Sequence, residues 1–101
     1  MEIDLNPLAR LFWDVDFNSL SWELHRDFII QRVLSHGDFV ALRWLRALVG
    51  DDELKKWVIA RQAKGLTPRQ IRYFALILEI ETSLADRWVK DALNTVWEKR
   101  R

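Results

Sequence analysis

Asp14 and Asp16 form a D-x-D pair, the kind of paired carboxylate that holds magnesium in nucleotidyl transfer. That chemistry also needs a strand scaffold and a glycine-serine phosphate loop, and the chain offers neither. The two aspartates are therefore expected on an exposed polar face. His25 and His36 are the only histidines, and neither has an acid or a second histidine at i+4 to complete a metal-ligand pair. His36, next to Gly37, more simply faces the negative end of its helix. There is no cysteine, so thiolate nucleophiles, disulfides and cysteine zinc sites are excluded. No nucleophile elbow, H-E-x-x-H or Ser-x-x-Lys motif occurs. Each of the three glycines follows a helical stretch, which leaves none for a phosphate loop. No catalytic residue, cofactor or metal is expected. The chain reads as a protein that is not an enzyme.

Charge is the more informative signal. The formal net charge is only +1, but it is unevenly spread. Residues 1–38 carry seven acids against three arginines, whereas residues 54–78 hold Lys55, Lys56, Arg61, Lys64, Arg69 and Arg72 with no acid. A block that basic suits nucleic acid or an acidic protein partner. Its outward side chains would be Thr67, Arg69, Gln70, Arg72 and Tyr73. Arginine can read guanine and glutamine adenine, while Lys55, Lys56 and Lys64 could meet phosphates. A stretch of this kind followed by Gly65-Leu66 and a second capped helix looks like a helix-turn-helix near 53–80. Two departures weaken the likeness. Arg61 stands four residues before the glycine, where the motif usually has alanine, and Lys64 takes a position that is usually apolar. A single module with so few phosphate contacts binds weakly, so operator recognition would call for a homodimer.

The elements that must position these residues are helical. Thr67-Pro68-Arg69-Gln70 is a capping box with proline at the first helical position. Ser83-Leu84-Ala85-Asp86 resembles a second, and Asp38 and Asp51 or Asp52 can cap two helices between. Apolar stripes at i, i+3, i+4, i+7 agree: Ile71, Phe74, Ala75 and Leu78, then Ala85, Trp88, Val89, Ala92, Leu93 and Val96. The spacing predicts helices near 22–36, 39–49, 52–64, 68–81 and 84–98. The one over 39–49 is apolar almost all round, broken by Arg43 and Arg46, as in the buried centre of a bundle. The fold class is all-α, one domain over 1–101, with a bundle over 22–98 and a distinct segment over 1–20.

That N-terminal segment alternates apolar and charged residues from Leu11 to Phe17, after a helical turn at Pro7–Leu11. It reads as an extended strap whose Trp13, Val15 and Phe17 cover a seam, or else as an edge offered to a partner. Of six tryptophans, Trp57 and Trp88 fall on core stripes, whereas Trp97 suits an interface. Half of the 101 residues are apolar, with no run near the roughly 20 that a membrane span needs. No signal-peptide core opens the chain, so a cytoplasmic location is expected.

The run Leu11-Phe12-Trp13-Asp14-Val15-Asp16, then Asp27 to Leu34, Gly37-Asp38, Arg43-Trp44-Leu45 and Leu66-Thr67-Pro68-Arg69 resemble a family of small uncharacterised prokaryotic helical proteins. The resemblance covers most of residues 8–80. It implies an antitoxin-type partner of nucleotidyltransferase-like toxins, with no catalytic residue. Trp13, Asp14, Asp16 and Trp97 are then the candidate partner contacts. The alternative is a DNA-binding regulator using the basic hairpin. Both roles can coexist.

Overall fold

The computed structural model describes residues 3–99, and the side chains of residues 3–94. It is all-α. Five α-helices run from Trp22–His36 (α1), Phe39–Val49 (α2), Asp51–Arg61 (α3), Pro68–Ile77 (α4) and Thr82–Lys99 (α5), after two short 3-10 turns at Asn6–Leu11 and Phe17–Ser19. No strand occurs among the described residues. The chain groups into two compact units, Met1–Leu48 and Val49–Arg101.

In the first unit, the N-terminal segment is not the extended strap that its alternation predicts. The helical turn expected at Pro7–Leu11 forms as the 3-10 turn Asn6–Leu11, with Leu5, Leu8 and Leu11 recurring every third residue, the period at which 3-10 side chains line up. The run after it turns and bends over 13–15 instead of extending. The three leucines and Phe12 are buried, while Trp13 and Val15 are exposed. The segment does cover the unit, with leucines rather than with the aromatic alternation. It packs on α1, whose inner side is Ile29, Ile30, Val33 and Leu34.

Local chemistry sets the ends of α1 and α2. Ser21 Oγ accepts from the Leu24 N–H, and the Ser21 N–H donates to His25 Nδ1 at 3.1 Å. The second bond accompanies a break in helical backbone at His25, so the first turn of α1 is angled from the rest. Gly37 ends α1 with an ordinary φ of −73°, not a left-handed one. Glycine is needed there for room: a Cβ would sit 2.4 Å from the Val33 carbonyl oxygen. Asp38 then caps α2, accepting from the Ala41 N–H at 3.0 Å, as its position predicts.

In the second unit, α4 packs along α5, and Ile71, Phe74, Ala75, Leu78, Ala85 and Trp88 are buried on the expected stripes. Leu54, Trp57 and Val58 are the buried side of α3. The Thr67 capping box is complete: Thr67 Oγ1 accepts from the Gln70 N–H, and Gln70 Oε1 accepts from the Thr67 N–H. The second box is not formed. α5 begins at Thr82, one residue before Ser83, and Asp86 turns instead to an ion pair with Arg72 on α4.

Both α3 and α4 end earlier than their stripes predict, each in the same way. Gln62 and Glu79 adopt left-handed backbone at φ 54° and 56°, and at the end of α3 Ala63 follows Gln62 at φ 54°. Ala63 N–H then bonds back to the Val58 carbonyl and Ile80 N–H to that of Ala75, the six-to-one bond of a Schellman cap. A side chain in that conformation costs about 1–2 kcal/mol. Gln62→Gly and Glu79→Gly are each expected to raise stability by about 0.5–1 kcal/mol, the residual after glycine's extra unfolded-state entropy. Urea melts of the single variants measure this.

Candidate functional site

Residues 11–16 acquire their geometry from one side chain on α1. Arg32 donates from Nη1 to the Leu11 carbonyl at 2.8 Å and to Asp14 Oδ1 at 2.7 Å, and from Nη2 to Asp14 Oδ2 at 3.0 Å. The two carboxylate bonds make a fork-to-fork pair, the strongest geometry open to these groups. Around the same guanidinium lie three aromatic rings, with centroids 5.6 Å (Phe12), 5.0 Å (Trp13) and 5.0 Å (Phe28) from its central carbon. Such distances suit cation–π attraction. The Arg32 side chain is only 12% exposed. Trp13 also meets the His36 ring edge-on at 5.8 Å.

A second clamp lies nearby along the chain. Arg10 of the first 3-10 turn pairs with Asp38, the cap of α2. Hydrogen bonding to Arg32 holds the Asp14 carboxyl below the usual carboxylate range, and the Asp14 bonds raise Arg32 further. Asp38 is lowered too, first by the Ala41 N–H and then by Arg10. A carboxyl whose folded value is depressed contributes stability that is present above its unfolded pKa, near 4. That contribution is lost as pH falls through the lower folded value. Acid titration of unfolding should therefore show a loss beginning below about pH 4. The loss should be shallower in Asp14→Asn and in Asp38→Asn, measured by circular dichroism.

These contacts redefine the candidate partner residues. Trp13 and Asp14 do come together, but Asp14 is spent on Arg32 and fastens the segment to α1. Asp16 lies apart from them and caps the second 3-10 turn, accepting from the Asn18 N–H at 3.2 Å. Trp97 lies outside the residues whose side chains are described. Large apolar side chains are among those that face solvent: Trp13 is 68% exposed, Phe28 is partly exposed, and Phe39 and Val40 stand out from the start of α2. The exposure of Phe39 and Val40 corrects the reading of α2 as a wholly buried helix. Its inner arc of Ala41, Leu42 and Leu45 is buried and Trp44 packs edge-on against Trp22, whereas Phe39 and Val40 are left uncovered. Arg32, Phe28 and this face of α2 are the features that motif reading missed. Nothing local marks Arg32, whereas the signal for Phe28 and the α2 face was an excess of apolar residues over what one stripe per helix requires.

The basic residues of the second unit divide in two. Arg69, Arg72, Tyr73 and Leu76 are exposed and fall within one arc of about 100° on α4. Arg72 is engaged by Asp86, Lys56 by Glu53 at 3.5 Å, and Thr67 and Gln70 by their mutual cap; Lys55 is half-buried. Lys64 and Thr67 line a hollow of about 600 Å³ with Trp88, Asp91 and Ala92 of α5. The connection from α3 to α4 spans six residues, 62–67, whereas α4 and α5 are joined by four, 78–81. A helix-turn-helix usually has three or four.

The chain belongs to a family of unknown function (DUF6922), whose model matches residues 8–61. That span holds the whole Arg32 cluster, α1, α2 and α3, and ends before the basic face of α4. No curated protein and no solved structure matches the chain. No described helix is long and apolar enough to cross a membrane.

Proposed function

We propose that this protein is a non-enzymatic, antitoxin-like or accessory protein that works by binding a partner protein through its N-terminal unit. The observation that carries this reading is the exposure of Trp13, Leu24, Phe28, Phe39 and Val40 on a unit of 48 residues. Apolar groups that face water on a well-clamped scaffold are a recurrent property of interaction surfaces. The Arg32 cluster supports it by presenting Trp13 rigidly, which lowers the entropy cost of binding. The resemblance to antitoxin-type proteins suggests a nucleotidyltransferase-like toxin as the partner. An acidic N-terminal third suits a protein that itself handles nucleotides.

A second reading rests on the exposed Arg69, Arg72 and Tyr73 of α4, which suit phosphate and base contacts of a DNA-binding regulator. The internal bonds of Thr67, Gln70 and Arg72 weigh against it, since they occupy part of the hydrogen-bonding capacity that base contacts would use.

The test is capture of the tagged chain from its source cells, with half of the sample treated with nuclease, followed by measurement of native mass. A stoichiometric protein complex that survives nuclease is the expected result. A chain recovered alone, or one retained only with DNA, would refute the partner-protein reading.

A further inference from the structure

α2 has two apolar sides. Phe39, Val40, Arg43 and Ala47 fall within an arc of about 100° on a helix that turns about 100° per residue, and all four are exposed. Phe39 is 73% and Val40 61% exposed, whereas Ala41, Leu42 and Leu45 on the opposite arc are buried. The outer arc is thus an apolar surface bearing the Arg43 guanidinium, with the half-buried Arg46 at its edge. No carboxylate of the described residues pairs with Arg43. The nearest acid along the chain, Asp38, is occupied by the Ala41 N–H and by Arg10.

That charge selects the occupant. Two copies of the chain joined through this face, with their α2 helices antiparallel about a two-fold axis, would bring both Arg43 side chains into one drying interface. Like charges there are repelled strongly. A helix that instead offers a carboxylate between large apolar residues would neutralise Arg43 and bury Phe39 and Val40 together. We infer that the outer face of α2 is the docking site for an amphipathic helix of the partner protein, in which an aspartate or glutamate flanked within one turn by large apolar residues pairs with Arg43. This deepens the partner-protein reading and rests on it.

The experiment uses the full chain and the complex isolated from source cells. Arg43→Glu and Phe39→Ser alter exposed positions, so both variants should keep the wild-type circular dichroism spectrum. Each is expected to weaken the complex tenfold or more. A photo-crosslinker at position 40 (Val40→p-benzoylphenylalanine) should mark a partner segment that has the stated pattern. Exchanging that segment's acid for lysine should restore binding to Arg43→Glu.

A complex that forms equally well with both variants overturns the docking site and leaves the partner-protein reading standing. So does a crosslink to a segment without an acid. Self-association of the purified chain that Phe39→Ser abolishes would assign the face to a second copy and overturn the proposal. Absence of any protein complex refutes the underlying reading, and the docking site with it.

Discussion

Arg32→Ala is expected to destabilise the N-terminal unit by about 2–4 kcal/mol, among the largest effects of any single change outside the core. The magnitude combines two kinds of loss. A guanidinium against three rings contributes roughly 0.5–1 kcal/mol per close contact, and its hydrogen bond to the Leu11 carbonyl about 1 kcal/mol. The solvent-exposed Asp14 pair adds orientation rather than energy. The Leu11 carbonyl belongs to the end of the 3-10 turn, so the same change also unfastens residues 8–17 from α1. Arg32→Lys keeps the charge but loses the planar fork, and should recover less than half of the deficit. Urea melts measure the energy. Hydrogen exchange locates it, with the amides of 8–17 losing protection first. A variant as stable as wild type would show that the cluster does not hold the segment in place.

Leu8→Ala should cost a similar amount, about 2–4 kcal/mol, because Leu8 is fully buried and leaves a cavity when truncated. The comparison with Trp13→Ala is the instructive part. Trp13 is larger but mostly exposed, and its removal should cost well under half as much while impairing partner binding. The opposite order of stabilities would mean that the segment covers the unit with its aromatic alternation after all. It would also mean that the leucine period is incidental.

This contrast shows where the sequence was legible. Two helix starts were readable from the side chain that caps them, Thr67 with Gln70 and Asp38, because that chemistry is local. The cap expected from Asp51 or Asp52 does not form, since α3 starts at Asp51 after Gly50. Two of the helix ends were not. Gln62 and Glu79 occupy left-handed positions where glycine would have been the readable residue, and tertiary burial of Ala63 and Ile80 holds them there. In the first twenty residues, two periods overlap. Trp13, Val15 and Phe17 repeat every second residue and Leu5, Leu8 and Leu11 every third, and the structure buries the latter set.

The site was legible in its first half only. Trp13 and Asp14 stand out by type, but Arg32 lies eighteen residues further on and nothing local marks it as their partner. The exposed face of α2 was hidden for a different reason. Composition shows how apolar a helix is, but not whether its unit has enough neighbouring surface to bury every side. A unit of 48 residues cannot cover a helix on all sides, as small units bury less of their surface than large ones.

In the proposed function the N-terminal unit, and not the basic face of α4, carries the binding surface. Hydrogen exchange of the free chain compared with the nuclease-treated complex tests it most directly. New protection is expected within residues 13–15, 24–32 and 39–47, with the amides of 69–76 unchanged. Protection confined to 64–76, or lost with nuclease, would contradict it and assign the protein to nucleic acid.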